Sequence, residues 1–317
     1  MAKYLNPKAD LTFKKIFGEH PNLVISLLNA LLPLKDDERV VSIEYWPAEK
    51  IPRRTEAEKN SIVDVCCRDN KRREFIVEMQ MTWTESFKKR VLLNASKAYV
   101  AQSESGQEYR LLQPVYALNF VNAPMNLGVD GYYHHYQLVH HEKSDEVIDG
   151  LQLVFIELPR FQPQTFSQKG GVRETNECLV EGDQMKVLWL RFLTEINEKT
   201  VEAPAELLEN PEVSEALKIL EVAAYTPAEM RAYDKFWDGI SSEKTIIADY
   251  EYKLEQAKAE TEQAKAETEQ AKSEAEEAKA KFQQDKIDTA RSMKADGMTA
   301  QQISRYIGLT AEEIDAL

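Results

Sequence analysis

Residues 61–80 read SIVDVCCRDNKRREFIVEMQ. Two short apolar runs flank a charged turn, and each run carries one carboxylate, Asp64 in the first and Glu78 in the second. Strand interiors are poor places for carboxylates, so their placement needs a reason. A three-residue hairpin loop over Asn70–Arg72 puts Asp64 directly opposite Glu78, on one face, with Cβ atoms about 4.5–5.5 Å apart. Gln80 follows two residues later and shares that face. Phe75, Val77, Met79 and Met81 take the other face and read as core. A slip of one residue would undo the match.

Two carboxylates at that spacing repel unless positive charge lies between them. A divalent cation supplies it. Mg²⁺ accepts one or two carboxylates, keeps several waters and takes phosphate oxygens in the rest of its shell. Such an ion activates water and stabilises charge on a phosphodiester. The alternative is that Asp64 and Glu78 pair with Arg68, Arg72 or Arg73 on an exposed hairpin face. Spacing alone leaves both open.

Outward from this hairpin, residues 10–32 read as helices broken at Gly18 and Pro21, with Phe13, Ile16 and Phe17 on one apolar face. Residues 40–46 read as a strand. Residues 85–103 have helical periodicity, with Val91, Ala95, Ala98 and Tyr99 on one side and Arg90, Asn94 and Lys97 on another. Residues 115–121 and 151–158 read as buried strands, with another strand in the histidine-rich stretch between them. The order helix, three strands, helix, strand predicts a mixed sheet with helices on it. Helical signals return from about 184, with starts near Pro211 and Pro227.

After residue 243 the composition changes. Residues 255–282 repeat every seven positions, and Ala257, Thr261, Ala264, Thr268, Ala271, Ala275, Ala278 and Phe282 make an a/d seam of mostly small residues. A single solvated helical spacer and a coiled coil that makes a homo-oligomer through residues 250–288 both fit. The last stretch, 289–317, carries two capping-box patterns, Thr299 with Gln302 and Thr310 with Glu313. Gly297 and Gly308 sit where helices should end. The stretch reads as a small helix-turn-helix-like cap, with few basic residues for DNA: Arg291, Lys294 and Arg305. The expected division is 1–183, 184–242, 243–288 and 289–317.

The 317-residue chain has 43% hydrophobic residues, enough for one large domain with extensions. No apolar run reaches transmembrane length, and the N-terminus lacks a signal-peptide core. Cys66, Cys67 and Cys178 form no CxxC, so they read as reduced thiols of a cytoplasmic protein. No phosphate-binding glycine loop or nucleophile elbow occurs. The net charge of −14 argues against wholesale coating of nucleic acid. Between residues 50 and 90, however, eleven Lys and Arg face seven Asp and Glu. Trp83 beside this region reads as a packed aromatic or a stacking platform. His134 with His140, and His135 with His141, would be nearly 20 Å apart on one strand, too far to share a metal.

The run DVCCRDNKRREFIVEMQ resembles the D-x(n)-E-x-K core of the PD-(D/E)XK nuclease superfamily. Together with YLNPKADLTFKKIFG, LLNALL, SIVDV, FIVEMQ, YVAQ and LLQPVYALNF, in that setting, it is similar to the Rpn family of recombination-promoting nucleases, often labelled transposases. The similarity runs from residue 4 to about residue 160. It implies a restriction-endonuclease-like αβββαβ core with a mixed sheet, followed here by a helical region, a long Ala/Glu/Lys/Gln helix and a small helical cap. It also implies metal-dependent DNA cleavage with low sequence preference, linked to recombination or mobile elements. Carried over by position, Asp64 and Glu78 are metal ligands, with Mg²⁺ expected and Mn²⁺ or Ca²⁺ as alternatives. Gln80 stands where the superfamily usually has lysine, as is common in this subfamily. Glutamine orients a water but supplies no positive charge, so Lys14, Lys15, Arg90 or Lys97 would have to bring it and meet DNA. For Lys14 and Lys15 a solvated helix face is the other reading. Asp10 reads either as a third carboxylate or as an N-cap. Nothing shows the triad of DDE chemistry. The competing function class is a catalytically weak DNA-binding or self-assembling protein on a nuclease scaffold, with a role in phage defence.

Overall fold

The computed structural model describes residues 3–46, 63–103, 108–162 and 181–317. Two compact units divide the chain, residues 1–242 and 243–317.

The first unit opens with α1 (Asp10–Phe17), which buries Phe13, Ile16 and Phe17. Its C-terminal turn closes so tightly on Gly18 that a Cβ there would lie 2.6 Å from the Lys14 carbonyl oxygen. Helix α2 (Pro21–Leu31) starts with proline at N1, where the missing N–H costs nothing. Both breaks fall where the sequence put them.

Six strands form one mixed sheet: β1 (Ile43–Tyr45), β2 (Val65–Asp69), β3 (Glu74–Gln80), β4 (Val115–Val121), β5 (Tyr133–His140) and β6 (Lys143–Glu157), in the order β1-β2-β3-β4-β6-β5. The pairs β1/β2, β2/β3 and β5/β6 are antiparallel, whereas β3/β4 and β4/β6 are parallel. Helix α3 (Glu85–Ala101) makes the crossover from β3 to β4, because parallel neighbours cannot be joined by a hairpin. Thr84 caps it, its side chain accepting from the Phe87 amide.

Core lies on both sides of the sheet. On one side Val65, Cys67, Phe75, Val77, Leu118 and Phe120 meet α1 and α2, with α4 (Glu181–Glu195), α5 (Ala205–Glu209) and α6 (Pro211–Ile219) contributing to the same core. On the other, Cys66, Ile76, Ala117 and Phe155 meet Phe87, Val91, Ala95 and Ala98 of α3. This is why β3 and β4 read as near-continuous apolar runs. Burial pushes the Cys66 thiol up to about 12 and Cys67 further, and both are free thiols. Cys178 lies outside the described residues.

Strand β6 begins eight residues earlier than its apolar run, because its first half is exposed and polar. The pairing of β5 with β6 shifts register twice, between Tyr136 and Leu138 and between Val139 and His140. Strict alternation therefore does not connect His134 to His140. His134 is buried 3.9 Å from Glu157, and His135 bonds Gln152 at 2.6 Å. Among the described residues no three His, Cys, Asp or Glu side chains cluster as a metal site.

Helix α7 runs unbroken from Pro227 to Ala295, starting at the expected proline and continuing through the compositional change. In the second unit it is followed by α8 (Ala300–Ile307) and α9 (Ala311–Asp315), both with capping boxes. Gly297 and Gly308 adopt positive φ, 86° and 74°, as helix-terminating glycines do. Ala290, Ile303, Leu309 and Ile314 form a small separate core. Lys294 donates to the Ile314 and Asp315 carbonyls and Arg291 pairs with Asp288. Two of the three cations considered for DNA thus serve the unit itself.

Candidate active site

The hairpin register is the one the three-residue loop predicts: Val65 pairs with Val77, Cys66 with Ile76, Cys67 with Phe75 and Arg68 with Glu74. Continuing it by one residue sets Asp64 opposite Glu78. Asp64 lies just beyond the end of the ladder, and its Oδ2 accepts the Met79 N–H at 2.8 Å. The side chain thereby replaces the next backbone partner that β2 would have offered. Glu78 sits inside β3, 5% exposed, with β2 on one side of the strand and β4 on the other.

The turn arginines do not reach these two acids. Arg68 pairs with Glu74 at 2.5 Å and lies over the Trp46 ring, while Arg73 pairs with Asp69 at 2.7 Å. The ion-pair alternative for Asp64 and Glu78 thus fails for Arg68 and Arg73, whose carboxylate partners are other residues. The basic stretch from 50 to 59 lies outside the described residues. Two of the remaining cations are neutralised within the hairpin by two of the counted acids, so the positive excess read from residues 50–90 is unchanged and rests on fewer charges.

Positive charge comes instead from α1 and α3. Lys14 Nζ lies 2.5 Å from Asp10 and 3.7 Å from Asp64 Oδ1. Asp10 is the first residue of α1, where Ala9 is the N-cap, so it is an ion-pair partner rather than a cap. Arg90 donates to Gln80 Oε1 at 2.7 Å and lies 3.8 Å from Glu78 Oε2. Lys15 points elsewhere, bonding Glu229 at 2.9 Å and lying over the Tyr225 ring. Lys97 follows Arg90 and Asn94 along one stripe of α3. Trp83 packs edge-on against Phe87 and Phe155.

Two residues that sequence reading did not assign to the site complete it. Asn94 is 1% exposed and donates from Nδ2 to Glu78 Oε1 at 2.9 Å. Its signal was an amide in the otherwise apolar middle of α3. Asn119 pairs with Glu78 across the parallel β3/β4 ladder and so shares its face. It is fully buried, and among the described residues its Oδ1 has no hydrogen-bond partner.

Burial dominates the electrostatics. It pushes the Asp64 carboxyl up to about 6, against the Met79 N–H and Lys14, which hold it down. Burial also raises Glu78, opposed by the Asn94 hydrogen bond and Arg90 and reinforced by the charge of Asp64. Two desolvated carboxylates that feel each other, with a glutamine and an unsatisfied amide oxygen on the same face, make a hard-oxygen donor set. It fits a divalent cation of the Mg²⁺ type, because such a charge would offset the burial cost of both acids.

No curated protein and no solved structure matches the chain significantly. A family model described as PD-(D/E)XK nuclease family transposase matches residues 7–257. The match extends beyond the resemblance legible near residue 160, through α4, α5 and α6 and into α7. With that match spanning most of the chain, and with an αβββαβ core carrying Asp64, Glu78 and Gln80 at one end of its hairpin, the protein belongs to the PD-(D/E)XK nuclease family transposases.

Proposed function

We propose that the protein is a metal-dependent DNA endonuclease, active in the cytoplasm, that hydrolyses phosphodiester bonds with little sequence preference. Family membership supports a nuclease linked to mobile elements and, by extension, to recombination. The observation that carries the catalytic reading is the pair of buried Glu78 and half-buried Asp64 flanked by Lys14 and Arg90. Asp64 and Glu78 would hold the cation, Mg²⁺ first, with Mn²⁺ or Ca²⁺ as alternatives. Bound there, it supplies Lewis acidity and a water of lowered pKa. Gln80, whose amide is oriented by Arg90, positions the attacking water. Arg90 and Lys14 take up charge developing on the phosphoryl oxygens, a role that lysine plays at position 80 in the wider superfamily. Asn94 holds Glu78 in its ligating orientation. Lys97 extends the cationic stripe along α3 towards neighbouring phosphates. These groups address the phosphate backbone, which positions DNA without reading its sequence.

Nicking of supercoiled plasmid tests this. The purified chain is expected to nick with Mg²⁺ or Mn²⁺ and not with EDTA. Asp64→Ala and Glu78→Ala should each lower the rate at least about a hundredfold with the fold retained. Equal nicking by the variants would sink the assignment. Asn94→Ala should raise the Mg²⁺ concentration for half-maximal nicking about 10–100-fold, as loss of a residue supporting a ligand does. An unchanged Mg²⁺ dependence would remove Asn94 from the site.

The reading includes self-association through residues 250–288, which are exposed along nearly their whole length. That exposure also favours the second reading, an interaction protein on a nuclease scaffold. A chain ending at Ser242 separates the two. It keeps cleaving if the first reading holds, whereas the second places the biological activity in the missing segment.

A further inference from the structure

Every residue of α7 from 251 to 285 is exposed. Among them and just before them are large apolar side chains: Tyr250 is 69% exposed, Leu254 57% and Phe282 63%. Counted in heptads, these three fall on the same seam as Ala257, Thr261, Ala264, Thr268, Ala271, Ala275 and Ala278. Tyr250 and the alanines at 257, 264, 271 and 278 take d, while Leu254, Thr261, Thr268, Ala275 and Phe282 take a. A lone solvated helix has no use for large apolar residues aligned with such a seam.

The charges flanking the seam are sorted by position. Lys258, Lys265, Lys272 and Lys279 all occupy e, and Glu260, Glu267 and Glu274 all occupy g. In a parallel two-stranded coiled coil, each g residue faces the e residue of the next heptad on the other chain. Glu260 then meets Lys265, Glu267 meets Lys272, and Glu274 meets Lys279, with the same pairs repeated by symmetry, against a single like-charge contact of Lys253 with Lys258 at the N-terminal end. In an antiparallel pair e faces e and g faces g, so Lys258, Lys265 and Lys272 would face lysines and Glu260, Glu267 and Glu274 would face glutamates. A slip of one heptad would preserve the charge matching, because the repeats are nearly identical. It would, however, move Leu254 and Phe282 off their counterparts and set them against Thr261 and Ala275 of the repeat.

We propose that α7 pairs with α7 of a second copy of this chain as a parallel, in-register coiled coil between Tyr250 and Phe282. The e/g charges set the direction and the large residues at the two ends set the register. The alanine seam makes the pairing close but weak, so association depends on concentration and weakens with salt. This goes beyond the nuclease reading, and its test does not use cleavage.

The test uses the full chain. Sedimentation equilibrium from low to high micromolar concentration should show monomer giving way to dimer; monomer throughout would overturn the proposal. Replacing all four e lysines (Lys258→Glu, Lys265→Glu, Lys272→Glu, Lys279→Glu) should weaken association at least tenfold while circular dichroism shows the helix retained. Undiminished association would overturn the charge argument. Ala257→Cys, near one end of the seam, should cross-link to itself under mild oxidation, whereas Ala259→Cys on the outer face should not. Cross-linking of Ala257→Cys to Ala275→Cys chains in place of itself would instead establish the antiparallel arrangement and sink the proposal.

Discussion

Asp64→Asn is expected to raise the thermal stability of the metal-free protein while abolishing cleavage. The ordinary aspartate value is 3.8 and burial lifts Asp64 to about 6. Between those values the folded chain binds more protons than the unfolded one, so stability falls as pH rises through that window. The penalty is absent below 3.8, complete above about 6, and amounts to about 3 kcal/mol at neutral pH. Asparagine removes the buried charge and keeps an oxygen to accept the Met79 N–H. In EDTA at neutral pH the melting temperature of the variant should exceed the parent's by roughly 5 °C. At pH 4 the advantage should nearly vanish. Saturating divalent cation should raise the parent's melting temperature and leave the variant's unmoved. A variant less stable than its parent in EDTA at neutral pH would mean that Asp64 is not a strained acid awaiting a cation.

Trp189→Ala should cost about 3–5 kcal/mol of stability. Trp189 on α4 is fully buried, with Phe17 of α1 at 5.4 Å and Phe192 at 5.7 Å, and its indole N–H donates to Ser26 Oγ of α2 at 3.1 Å. It joins three helices, one of which carries Lys14. Loosening α1 therefore moves Lys14 away from Asp64, and cleavage should fall even at temperatures where the variant stays folded. Trp189→Phe keeps most of the volume but loses the N–H, and should cost markedly less. Urea unfolding measures both. A midpoint for Trp189→Ala corresponding to less than about 1 kcal/mol would remove α4 from the essential core.

Residues 61–80 were legible because two constraints act together there. Alternation assigns faces, and a three-residue loop assigns register, so the opposition of Asp64 and Glu78 follows from local chemistry. The helix breaks at Gly18 and Pro21 and the caps near the C-terminus were legible for the same reason. Asn119 was not, because one polar residue in VYALNFV looks like noise until the neighbour of β4 is known. The early start of β6 was hidden because its exposed half has no apolar alternation, and the hairpin with β5 holds it in the sheet. Lys15 looked equivalent to Lys14, and only the fold brings Glu229 and Tyr225 to it. The arginines of the turn counted as surface charge until Glu74 and Asp69 claimed them.

The hydrogen bonds at the carboxylates also set their denticity. Asp64 has Oδ2 engaged by a backbone amide, and Glu78 has Oε1 engaged by Asn94. Each acid is left with one oxygen, Oδ1 and Oε2, and each of those lies beside a cation at 3.7 or 3.8 Å. The pair is built to lend single oxygens rather than to clasp an ion with both. A divalent cation held there would take single oxygens from Asp64 and Glu78, which would suit a small ion that sheds water reluctantly over a large one that seeks bidentate carboxylates.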